Sequence, residues 1–196
     1  MKTTLTRSML LVGLLAIGTW VSAQVLTFSS QNTSIEINGT SNLHDWKSKT
    51  TQVKGHLMFA DNDQLKTLNV EIPVKSIKSG EKLMDSKTYE TLKADKNPNI
   101  SFRMTDVAGL QRTGNTLQLT VNGNLSIAGT TKKVQLKASG KTNAGGIYTF
   151  TGSINLKMTD FGMKPPTALL GTMKVGDQVK LVFDVTLNEN QQTSVN

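Results

Sequence analysis

The chain has 196 residues, a formal charge of +8 and no cysteine. Disulfides, thiolate metal sites and lipid attachment through an N-terminal cysteine are therefore excluded, and stability rests on burial and backbone pairing. The basic balance raises nucleic acid as a partner, but Lys47, Lys49, Lys78, Lys132, Lys133 and Lys180 are scattered as on a solvated outer face. With only six Phe, two Tyr and two Trp for base stacking, nucleic acid is not expected.

Residues 1–23 read as a signal peptide. Lys2 and Arg7 supply positive charge, an apolar stretch runs from Met9 to Trp20, and Val21-Ser22-Ala23 places small residues before Gln24. That stretch falls short of the roughly 20 residues that cross a bilayer, and no later one is long enough, so no integral membrane span is expected. The reading is an exported protein, periplasmic or secreted. Its charge falls to +6 without Lys2 and Arg7, and residues 24–196 have the length of one domain.

Beyond residue 30 the chain repeats with period two, the pattern of strands with one dry and one wet face. In chain order these are "TSIEINGT", "QVKGHLMF", "KTLNVEIPV", "NISFRMTDV", "TLQLTVNGNLSI", "KVQLKASG", "IYTFTGSINLKM" and "QVKLVFDVTL". Turn signals fall between them at 61–63, 112–115, 128–130 and 143–146. About eight strands in sequential order predict an all-β fold, an antiparallel barrel or sandwich. Two segments break the pattern. "DSKTYETLKADKNP" from Asp85 predicts a helix of two to three turns, with Asp or Ser as N-cap, Tyr89 and Leu92 on one face and Pro98 beyond the end. "FGMKPPTALLGTMKVGD" at 161–177 reads as a lid or plug over one end of the core.

"GTSNLHDWKSKT" at 39–50 places Ser41, His44 and Asp45 close together and raises a hydrolytic triad. In an extended segment neighbouring side chains point to opposite faces, so His44 and Asp45 do not form the aimed pair that orients a general base. No GxSxG elbow is present either. His44 and His56, the only imidazoles, do not make a convincing metal set with Asp45. No catalytic residue, no metal and no enzymatic activity are expected.

Four blocks in this order, "IEINGTSNLHDWKSKTTQVKGHLMF", "IPVKSIKSG", "YETLKADKNPNISF" and "GNLSIAGTTKKVQL", followed by "TDFGM", resemble the YceI-like family of bacterial exported proteins over roughly residues 30–188. The chain departs from many members at Met84, where Arg is common, and at Ala128, where a polar residue is common. The resemblance implies a lipocalin-like antiparallel barrel of about eight strands with one short helical insertion, forming a single domain over 24–196. It also implies a long-chain lipid in the lumen: a polyisoprenoid, an isoprenoid quinone or a fatty-acid derivative. No other cofactor is implied.

Alternation assigns the lumen lining to Val53, Leu57 and Phe59, to Leu68, Val70 and Ile72, to Phe102 and Met104, and to Val121 and Leu125. Phe150, Ile154, Leu156, Met158, Leu181 and Phe183 complete it. Trp46, Phe161, Met163, Leu169 and Leu170 are expected to close the mouth. Medium-sized side chains and methionines suit a hollow interior. The competing expectation is a filled barrel that binds a protein partner through its basic outer face, and a homodimer is compatible with either.

Overall fold

A computed structural model describes residues 24–60, 64–143 and 146–188. The signal peptide expected over 1–23 lies outside the described residues. Twelve strands form one antiparallel system: β1 (Gln24–Phe28), β2 (Thr33–Ser41), β3 (Trp46–Thr50), β4 (Lys54–Ala60), β5 (Gln64–Pro73), β6 (Ile77–Lys78), β7 (Asn99–Thr113), β8 (Thr116–Ile127), β9 (Thr130–Asn143), β10 (Ile147–Lys157), β11 (Thr167–Ala168) and β12 (Met173–Asn188). The pairing path is β1-β4-β5-β7-β8-β9-β10-β12-β2-β3-β6, with β11 beside β12.

That path holds eleven strands against the eight expected, because three extended segments are each interrupted once. β1 runs on into β2, β3 into β4 and β5 into β6. Glu36 faces Lys49 above the interruption and Phe28 faces Gly55 below it, while Lys49 faces Lys78 and Lys54 faces Glu71 in the next pair of segments. The ladder thus resumes after each break, and the segments close a ring back to β12. Two breaks brace each other. The Thr51 amide and hydroxyl both donate to the Ser76 carbonyl oxygen, at 2.9 and 3.0 Å, and the Ser76 hydroxyl donates to the carbonyls of Gln52 and Pro73. Strands as short as β1, β3 and β6 carry too few alternations to be read from sequence.

The barrel has unlike ends. At one, Leu26, Leu65, Leu117 and Leu187 are buried, and the rings of Phe59, Tyr148 and Phe150 stack with centroids 6.0 and 6.3 Å apart. This end is plugged by large side chains that fill the ring. Partway up the wall, glycine makes room for rings from neighbouring strands. A Cβ at Gly152 would collide with Phe183, and one at Gly123 with Phe102.

The other end carries the irregular segments. Helix α1 (Lys82–Thr91) begins three residues before the expected Asp85. Asp85 is not its cap: Glu81 occupies that position without a side-chain hydrogen bond, and the Asp85 carboxylate turns back to accept the Ser79 amide and hydroxyl, both at 2.7 Å. Tyr89 fixes the helix to the wall by donating to the Ile77 and Lys75 carbonyls while Lys78 Nζ donates to it at 2.6 Å. The connection after β10 folds as a turn of 3-10 helix at Thr159–Phe161 and then the short β11. Residues 173–177, expected in the irregular stretch, belong to β12, paired to β2 across a bulge between Val175 and Val179.

Candidate functional site

Above the aromatic plug the barrel is hollow, with a cavity of about 350 Å³. Its apolar lining includes Leu68, Val70, Ile154, Leu156, Leu181 and Phe183, which are half-buried, and Leu57, Phe59, Val121 and Phe150, which are fully buried. All these residues share the inner face by alternation. Ile72, Phe102, Leu125, Met158 and Met163 also line the hollow, and Trp46 stands at its rim.

Four of the described residues named from sequence do not line it. Val53 falls in the interruption between β3 and β4 and belongs to the buried core. Met104, opposite Gly123 and just before a bulge in β7, packs against the buried core without reaching the hollow. Phe161, expected at the mouth, is 2% exposed and sits instead beside β9 and β10. Leu170 has left-handed backbone and a fully exposed side chain. The side chain of Leu169 lies outside the described residues.

Other residues complete the rim without having been anticipated. Leu83, Met84, Lys87, Thr88 and Thr91 of α1 line the cavity. Leu83, Lys87 and Thr91 share one helical face, but with only Leu83 apolar among them the sequence carries no periodic signal for it. His44 also lines the rim. Inside, β3 turns Ser48 and Thr50 toward the hollow, and the Thr50 hydroxyl is buried without a hydrogen-bond partner among the described residues.

The Ser41-His44-Asp45 cluster is a loop device. The Ser41 hydroxyl donates to the His44 carbonyl at 2.8 Å and accepts from the Leu43 and His44 amides, while His44 Nδ1 lies 2.8 Å from the Asp45 carbonyl. His56 is far along the chain on β4, where its Nε2 lies 3.2 Å from the Asn69 side-chain amide. Among the described residues no three of His, Cys, Asp and Glu come together as metal ligands.

Charge at this end is organised by hydrogen bonds. Burial pushes the Asp85 carboxyl up, but the Ser79 amide and hydroxyl with nearby Lys78 outweigh it and hold the group below the usual carboxylate range. Asp177 is likewise held low, chiefly by the Thr159 hydroxyl and then by the Thr159 amide. The hydrogen bond to Tyr89 raises Lys78 above the ordinary lysine value.

A ring of antiparallel segments, plugged at one end and enclosing an apolar hollow at the other, defines the class: a small all-β barrel built around an internal cavity. Among the described residues no helix is long and apolar enough to cross a membrane. The profile of the YceI-like domain matches residues 26–187, and the chain belongs to that family. No curated protein sequence matches it.

Solved structures share the fold. BcnA of Burkholderia cenocepacia is 19% identical with a TM-score of 0.65, over 79% of this chain and 95% of that one. A polyisoprenoid binding domain from Saccharophagus degradans is 9% identical with a TM-score of 0.67, over 85% and 99%. The YCEI protein of Campylobacter jejuni is 22% identical with a TM-score of 0.58, over 72% and 83%.

Proposed function

We propose that the protein holds a long-chain apolar lipid in the barrel lumen, for sequestration or transport, and performs no chemistry on it. The ligand is a polyisoprenoid, an isoprenoid quinone or a fatty-acid derivative, and the place of work is the periplasm or the extracellular medium. The observation that carries this reading is the apolar hollow of about 350 Å³ above the aromatic plug, which falls at the lower end of the range for small-molecule sites. Family membership supports it, as does the fold shared with the polyisoprenoid binding domain of Saccharophagus degradans.

The energetics are adequate without a single polar contact. Each buried methylene contributes about 0.8 kcal/mol, so some ten buried carbons offer on the order of 8 kcal/mol before association costs. Micromolar binding is then within reach. The competing reading, a filled barrel that acts through its basic outer face, is disfavoured by the hollow itself.

Native mass spectrometry of purified protein, with organic extraction of whatever co-purifies, tests the proposal. The expected result is a bound species with a long hydrocarbon chain, or uptake of added isoprenoid in a one-to-one complex. Protein that carries no lipid and takes up no isoprenoid, quinone or fatty acid overturns it.

A further inference from the structure

The wall of the barrel is not continuous. β9 and β10 pair from Asn143–Ile147 up to Ala138–Gly152 and no further, although β9 extends back to Thr130 and β10 on to Lys157. Continuing the register would set Gln135 against Asn155 and Lys133 against Lys157. Like charges directly opposite disfavour pairing, which gives a physical reason for the ladder to stop there. The result is a fissure in the mouth half of the wall, lined by Lys132, Lys133, Gln135, Asn155, Asp160 and Phe161. Ile154 and Leu156 line both this fissure and the lumen, so the two spaces share a wall.

Lys132, grouped from sequence with the solvated lysines, is exposed at this fissure. It stands directly opposite Leu125, a lumen residue, and two and four positions from Val134 and Leu136 on the same face of β9. Directly opposed residues share a face, so its side chain leaves β9 on the inner-face side, and it is exposed where it lines the fissure. No hydrogen bond or ion pair engages it among the described residues. Lys133 and Lys157 stand exposed on the outer edge. The nearby carboxylates are Asp160 and Asp177, the second of which is already committed to the Thr159 amide and hydroxyl. Strand edges released from the ladder add backbone N–H groups as donors.

We infer that the fissure is a headgroup site. It receives the anionic end of a lipid, a phosphate or carboxylate, on Lys132 and Lys133, which line it, and on Lys157 at its edge, while the tail passes over Ile154 and Leu156 into the lumen. This rests on the lipid-binding reading and narrows it: among long-chain ligands of equal length, the anionic one is preferred.

Calorimetric titration with farnesyl phosphate, farnesol and inorganic phosphate tests it. The wild-type chain is expected to bind the phosphate ester about tenfold or more tighter than the alcohol, as a charge-assisted contact confers. Lys132→Gln is expected to bring that ratio to about twofold while leaving farnesol affinity in place, and Lys132→Arg to restore it. A ratio unmoved both by Lys132→Gln and by replacing all three lysines with Gln overturns the headgroup site and leaves the lipid reading standing. Inorganic phosphate that displaces farnesyl phosphate at comparable concentration identifies a surface anion site separate from the cavity, and also overturns it. Failure of both farnesyl ligands to bind overturns the headgroup site together with the reading beneath it.

Discussion

The indole N–H of Trp46 donates to the Thr40 carbonyl oxygen at 3.1 Å, which lays the ring against Gly39 at the rim of the lumen. Gly39 and Trp46 are also register partners between β2 and β3. The glycine is therefore required by a close approach, since a Cβ there would overlap the indole ring. Gly39→Ala is expected to force the ring off its seat, at a cost of about 1–3 kcal/mol for overpacking. In a chain lacking residues 1–23, Trp46 is the sole tryptophan, so its emission maximum reports the displacement directly. An unchanged spectrum with unchanged lipid affinity would show that the rim does not depend on this contact.

The two halves of the barrel interior are expected to respond oppositely to substitution. Leu187 is 1% exposed in the plugged half, and Leu187→Ala leaves a void there, with an expected loss of about 2–5 kcal/mol. Leu156 is half-buried beside empty space. Leu156→Trp is expected to fill part of the hollow, keep or raise the thermal midpoint, and weaken lipid binding by about tenfold or more. Urea unfolding and lipid titration on the two variants separate the effects. Leu156→Trp that binds lipid as tightly as wild type would place the ligand elsewhere.

The eight long segments were legible because alternation persists for many residues and a buried face enforces it, as in β8, where Leu117, Leu119, Val121, Leu125 and Ile127 are all buried. Most of the cavity lining followed from the same signal. Alternation failed wherever the ladder itself is irregular. It assigned to the lumen Val53, at a break, and Met104, beside a bulge, which pack with the buried core without lining the hollow. Tertiary placement was beyond it too: nothing local to Phe161 says that its turn packs against β9 and β10 while Met163, just after it, lines the hollow. The helix start was missed because Asp85 looks like a cap, whereas its carboxylate is taken by Ser79, six residues back.

Asp177 ties the turn that carries Phe161 to the start of β12. Its carboxylate accepts the Thr159 amide at 2.9 Å and the Thr159 hydroxyl at 2.7 Å, and its backbone carbonyl accepts the Met158 amide at 3.0 Å. These donors favour the ionised form, so the carboxyl titrates below its unfolded value. The stabilisation is therefore fully present above the ordinary carboxylate range and is lost as pH falls through the lowered folded value. Asp85 contributes with the same sign at the helix. Urea midpoints are expected to drop between pH 7 and pH 3 in the wild-type chain, and to drop less in Asp177→Asn and in Asp85→Asn, each of which begins from a lower midpoint at pH 7. Hydrogen exchange assigns the loss: amides of residues 158–163 lose protection in Asp177→Asn, and those of α1 in Asp85→Asn. A pH dependence identical in all three chains would mean that neither carboxylate is linked to folding. Because the turn at 158–163 borders the fissure between β9 and β10, Asp177→Asn is also expected to speed lipid exchange at neutral pH while leaving the lumen capacity of one ligand unchanged.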